Sequence, residues 1–137
     1  IYDRLPFLDY APVTFTSALK KRGLAELFDE VDTVAAEAQR RVQPGALLSL
    51  FRQAVERRPM SSGGAALRIH SVQQVAVSPP TFALRVNLPD KIHFSYERYL
   101  VNSLRHTHPF AGSPIRLLFR RSVGRRGAGP RAGRVRR

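Results

Sequence analysis

Three stretches decide the fold of this chain: Pro79-Pro80-Thr81-Phe82-Ala83-Leu84-Arg85-Val86-Asn87, Phe94-Ser95-Tyr96-Glu97-Arg98-Tyr99-Leu100-Val101-Asn102-Ser103-Leu104-Arg105 and Ser113-Pro114-Ile115-Arg116-Leu117-Leu118-Phe119-Arg120-Arg121. The first alternates. Phe82, Leu84 and Val86 share one parity and Arg85 takes the other, the pattern of a half-buried strand. The second has helical spacing, with Tyr96, Leu100 and Leu104 on one stripe and Tyr99 and Val101 flanking it. Ser95 is a suitable N-cap, so a helix is predicted over residues 96–106. The third alternates again, placing Ile115, Leu117 and Phe119 inward and Arg116, Leu118 and Arg120 outward.

Working outward from these pieces, residues 67–77 read as another strand. Leu67, Ile69, Val75 and Val77 share a parity, and Arg68 and His70 take the other. Ser78-Pro79-Pro80 is the turn, which predicts an antiparallel hairpin with the strand that follows. Before it, Pro44 suits the first turn of a helix whose apolar stripe is Leu47, Leu48, Phe51 and Val55. Arg57-Arg58-Pro59 ends that helix, and residues 59–66, rich in Ser and Gly, read as a flexible loop. The order is α-β-β-α-β. This is an α+β domain, a three-stranded sheet with two helices on one face. The opposite face would carry Arg68, His70, Arg85, Arg116 and Arg120, provided the strand registers agree.

The start of the chain has a different organisation. Residues 11–17 read as a strand, Lys20-Lys21-Arg22-Gly23 as a basic loop, and Leu24, Leu27, Phe28, Val31, Val34 and Ala35 as the apolar stripe of a helix. One strand and one helix cannot bury both faces, so the unit looks like the end of an α/β domain. The expected division is residues 1–42 for this unit, 43–122 for the α+β domain and 123–137 for a basic tail. That tail holds Gly, Arg, Ala, Pro and little else, and disorder is expected when it is free.

Charge follows the same division. The 137 residues carry a net charge of +13. Residues 1–42 hold six Lys/Arg against seven Asp/Glu, residues 43–122 eleven against three, and the tail six against none. The asymmetry points to a polyanionic partner for the second part, nucleic acid before a membrane surface, because no helix opposes an all-basic face to a strong apolar one. No apolar run is long enough to cross a membrane. There is no cysteine, which removes disulfides and thiolate chemistry. Ile1 in place of an initiator methionine, without a targeting pattern, predicts that the chain starts inside a longer protein.

The chemistry-bearing motifs are few. No G-x-x-x-x-G-K-[ST] phosphate loop and no Asn-Lys-x-Asp motif is present, so GTP hydrolysis by this chain alone is not expected. His106-Thr107-His108 lacks further ligands, and no metal site is expected. No Ser/His/Asp set or carboxylate pair stands out. Gly124-Arg125-Arg126-Gly127 has the letters of a nucleic-acid-clamping GXXG loop but lies in the tail, not between helices.

Taken together, "PPTF" opening a strand at Pro79, the Phe94–Arg105 helix and the "PIRLLFR" strand from Pro114 resemble the C-terminal KH-like domain of the bacterial double GTPase Der (EngA) family. Leu5-Pro6-Phe7-Leu8-Asp9-Tyr10-Ala11-Pro12 and Thr16-Ser17-Ala18-Leu19 resemble the end of the second GTPase domain of that family. The resemblance implies a KH-like fold for residues 43–122 and a P-loop GTPase remnant for residues 1–42. It also implies that Ser17, Ala18 and Leu19 form the guanine-recognition loop, with backbone N–H groups meeting the guanine oxygen. GTP and Mg²⁺ would be cofactors of the whole protein and not of this part.

The partners implied are the large ribosomal subunit and its rRNA, together with the GTPase domains of the same polypeptide. A monomer is expected, in the bacterial cytoplasm or in a plastid. The candidates for contact are Arg68, His70, Arg85, Arg116, Arg120 and Arg121, with Arg125 and Arg126 of the tail. Two other readings stand beside RNA docking: a regulatory module whose basic sheet face packs against a GTPase domain, and a truncated fragment without independent function.

Overall fold

The computed structural model describes residues 3–5 and 8–123. The expected tail, with Arg125 and Arg126, lies outside the described residues apart from Val123. In chain order the elements are α1 (Leu24–Ala38), α2 (Pro44–Arg57), β1 (Ser61–Ser62), β2 (Ala65–Ala66), β3 (Ile69–Ala76), β4 (Thr81–Val86), α3 (Phe94–Thr107) and β5 (Arg116–Arg121), with a 3-10 turn at Pro89–Lys91 before α3. The α2-β3-β4-α3-β5 order is the α+β arrangement expected for a KH-like domain.

The main sheet runs β3-β4-β5. β3 and β4 pair antiparallel across the Ser78-Pro79-Pro80 turn, whereas β4 and β5 pair parallel. A parallel neighbour needs a crossover, and α3 supplies it. Parity dictates the inward residues of β4: Phe82, Leu84 and Val86 are fully buried. α2 adds Leu47, Phe51 and Ala54, and α3 adds Tyr96, Leu100 and Leu104, each set spaced three or four residues apart. Phe110, in the loop after α3, closes this core edge-on to Phe82, with ring centroids 5.8 Å apart. No periodic pattern marks it, because its backbone has a positive φ of 46° and belongs to a turn.

Several expectations change in the structure. Residues 11–17 form no strand: the segment joins no sheet, and only Ser17 makes a bridge, to Arg22. β3 does not keep one parity. Bulges between Ile69 and Ser71 and between Gln74 and Ala76 shift the register, so Val72 is buried and Val75 is exposed. His93, not Ser95, caps α3; its ring nitrogen accepts the Ser95 N–H at 3.4 Å. The loop after α2 is ordered in part as the small β1–β2 hairpin, where Gly63 and Gly64 provide two consecutive positive φ angles.

The N-terminal unit joins the domain at defined points. Gln74, on the helix side of β3, donates to the Arg40 carbonyl at 2.8 Å and accepts the Val42 N–H at 2.9 Å. Ser78 N–H donates to the Ala38 carbonyl, and Gly112 N–H donates to the Tyr10 carbonyl. A Cβ on Gly112 would overlap the Val34 side chain of α1, and its φ of 72° also favours glycine. Arg105 donates to the carbonyls of Pro109, Phe110 and Ser113 and lies 4.7 Å from the centre of the Tyr10 ring. Burial lowers the Arg105 pKa, while Asp9 and Tyr10 act to raise it.

Candidate nucleic-acid interface

The ladder registers fix which arginines share a face. Arg85 on β4 stands opposite Arg120 on β5 and Ser71 on β3; Ala83 stands opposite Leu118 and Gln73; Thr81 stands opposite Arg116 and Ala76. These residues have the parity opposite to Phe82, Leu84 and Val86 and form the outer face of the sheet, away from both helices. Arg85, Arg116 and Arg120 are all exposed. None of the nine outer positions is acidic, and none of the three arginines is in an ion pair among the described residues. Arg116 and Arg120 lie four residues apart on one strand, about 13 Å along the strand axis at the usual rise.

Direct juxtaposition of Arg85 and Arg120 is unfavourable for the isolated sheet, since like charges opposite each other repel. An anion placed over the pair removes that cost. Long guanidinium side chains also give planar donor forks suited to phosphate oxygens.

The remaining candidates separate into other places. Arg68 precedes β3, where its N–H donates to Asn87 Oδ1 at 2.8 Å and its carbonyl accepts the Asn87 N–H. His70 is the extra residue of the first bulge. Both line a groove of about 280 Å³ beside α2, together with Arg52 and Glu56. Arg52 enters this group through its Nε, which donates to the Ile69 carbonyl at 3.2 Å. No local signal identifies Arg52; only the approach of α2 to the β3 edge brings it there. Arg121 has the inward parity at the end of β5 and pairs with Asp90 at 2.6 Å, away from the outer-face arginines.

Ser17, Ala18 and Leu19 precede α1 and belong to neither sheet. They open a turn closed by reciprocal Ser17 and Arg22 backbone hydrogen bonds, with Lys20 N–H donating to Ser17 Oγ at 3.3 Å. Among the described residues no hydrogen bond engages the Ala18 or Leu19 N–H. Gly23 keeps the turn tight, since a Cβ there would overlap the Phe15 carbonyl. Ala18 and Leu19 therefore present free backbone donors in a tight turn. Among the described residues no group of His, Cys, Asp and Glu is arranged to hold a metal ion, and no helix is long and apolar enough to cross a membrane.

Comparison with known proteins shows what the chain is similar to. The family model described as "KH-domain-like of EngA bacterial GTPase enzymes, C-terminal" matches residues 41–120. A protein named GTPase Der from Halothermothrix orenii is 44% identical over 124 residues, covering 90% of this chain and 28% of that protein. GTPase Der from Desulforamulus reducens is 42% identical over 91% of this chain and 29% of its own length. The relative from Moorella thermoacetica, also named GTPase Der, is 43% identical over 88% of this chain. The chain thus spans between a quarter and a third of the curated relatives it matches.

Proposed function

Because the chain belongs to the family of KH-like domains at the C-terminus of EngA bacterial GTPases, we propose that it is the RNA-docking part of a GTPase acting in assembly of the large ribosomal subunit. The observation that carries this reading is the outer sheet face, where Arg85, Arg116 and Arg120 stand without a neighbouring carboxylate. Recognition works through charge and shape. Guanidinium groups neutralise phosphates of folded rRNA and release counterions, and no base-reading GXXG clamp takes part. In the whole protein, the turn of Ser17, Ala18 and Leu19 meets the guanine base through the free Ala18 and Leu19 N–H groups, with Ser17 closing the turn on Arg22. Residues outside this chain hold Mg²⁺ and the phosphates, and the nucleotide state governs access to the outer face.

A second reading has its own support. Leu118 is 40% exposed in the middle of the outer face, beside Ala83. An apolar spot between arginines also suits packing against a GTPase domain, with the two partners competing for one surface.

The test is binding to large-subunit rRNA across a salt series. Log K should fall steeply with log salt, with a slope of about −0.9 per neutralised phosphate on duplex regions. Replacing Arg85, Arg116 and Arg120 together by Ala should flatten that slope by about 2 to 3. Salt-insensitive binding overturns the RNA reading. So does tight docking of the GTPase domains in trans that rRNA does not displace, which favours the second reading.

A further inference from the structure

The helix side of the domain carries a second surface. α2 and α3 run antiparallel and are tied at one end, where Tyr96 Oη donates to the Arg58 carbonyl at 2.6 Å and Tyr99 Oη donates to the Ala54 carbonyl at 2.8 Å. The Arg58 guanidinium lies 5.3 Å from the centre of the Tyr99 ring, and the Tyr96 and Tyr99 rings are 5.6 Å apart. The tied end leaves a cleft of about 450 Å³ between the helices. That volume is within the range of small-ligand pockets.

The lining of the cleft is chemically divided. Leu50, Ala54 and Tyr99 give it an apolar side. Gln53 and Asn102 face it from opposite helices. Gln53 spends one N–H on Ser49 Oγ, which leaves its carbonyl, and the Asn102 side chain makes no hydrogen bond among the described residues. Both amides therefore offer donors or acceptors to a planar polar edge. The basic side chains of the lining are the Arg57 guanidinium and the His106 imidazole; no carboxylate is among the lining residues, and among the described residues neither is in an ion pair. Asp9 lies in the neighbouring depression with Asn102, Arg105 and His106.

An apolar side, two free amides and a basic rim match one kind of occupant: a flat heterocycle with hydrogen-bonding edges joined to an anion. We propose that the α2–α3 cleft takes a single nucleotide of single-stranded RNA, with its base against Leu50, Ala54 and Tyr99 and its phosphate between Arg57 and His106. This rests on the RNA-docking reading above but uses the other side of the domain. The outer face engages folded RNA by charge, and the cleft holds an unpaired nucleotide on the opposite, helix side, as single-stranded sites combine basic rims with apolar platforms.

The experiment uses the full chain and a short oligouridylate containing 4-thiouridine, cross-linked by light, with the modified peptides mapped by mass spectrometry. Cross-links are expected within residues 50–57 and 99–107. Replacing Arg57 and His106 together by Ala should weaken oligonucleotide binding about tenfold and flatten its salt slope by at least about 0.7, the single-strand value for one phosphate. Asn102→Leu should lower cross-link yield while leaving the salt slope in place. Near-UV circular dichroism of the tyrosines checks that each variant is folded. Cross-links confined to other peptides, or equal yields in all variants, overturn the cleft assignment. If that happens while the outer-face triple variant still loses rRNA binding, the cleft fails alone; loss of all RNA binding by the unmodified chain removes both readings.

Discussion

Residues 43–122 and the unit before them contain helices of similar amphipathic character, yet among the described residues only the first of these regions has a buried core. α2 and α3 each bury three side chains against the sheet. α1 buries none: Phe28 on its stripe is 67% exposed, and Leu24 and Val31 are each about half exposed. Phe15 and Leu19 of the preceding segment are more exposed still, at 82% and 99%. An apolar stripe makes a helix able to bury a face; burial itself requires a complementary surface, and for α1 the domain offers only its loop edge. There Ser78 N–H donates to the Ala38 carbonyl and Gly112 lies against the Val34 side chain, while Gln74 and Arg105 hold the flanking Arg40–Val42 and Tyr10.

The contrast yields graded predictions. Phe82→Ala should cost about 3–5 kcal/mol in urea unfolding, since its ring is wholly enclosed, whereas Phe28→Ala should stay within about 0.5 kcal/mol. Equal losses would mean that α1 has a buried face after all. Next in size is Arg105→Ala. Losing three carbonyl hydrogen bonds and the Tyr10 contact should remove about 1–3 kcal/mol. Amide protection should fall first in residues 8–38 if Arg105 works as the clasp between the two regions.

A smaller effect should depend on pH. His108 sits at the same junction with its Nδ1 buried and unpartnered among the described residues. Burial lowers its pKa, Arg40 adds to the lowering and Glu37 opposes it. The folded chain therefore takes this proton less readily than the unfolded one. Stability should be constant above about pH 6.5 and fall as the pH drops from there toward the lower folded value. His108→Gln should remove that part of the slope, and an unchanged profile would show that His108 does not titrate at the junction. Smallest of all, Arg121→Ala should change stability by at most about 0.5 kcal/mol, because both partners of its ion pair are mostly exposed.

Much of the KH-like domain was legible because its strands and helices carry period-2 and period-3.6 patterns over whole elements. The inward set of β4 and the buried stripe of α3 are where those periods place them. β3 shows where the logic stops. A bulge adds one residue without any marker in composition, and parity then reverses, so Val72 and not Val75 is inside. The candidate site divides in the same way. Arg85, Arg116 and Arg120 share a face because β4 and β5 are regular. Arg68 and His70 lie at the irregular start of β3, and a groove beside α2 groups them with Arg52 instead.

By itself, the sequence determined the α-β-β-α-β order, the basic character of the second part and the family, because these depend on local periodicity and on residue identity. Only the tertiary structure decided the parallel pairing of β5 with β4, the enclosure of Phe110, the clasp of Arg105 on Tyr10 and the cleft between α2 and α3. Each of these joins residues from elements far apart in the chain or in a turn without a repeat, where no spacing rule connects one to the other.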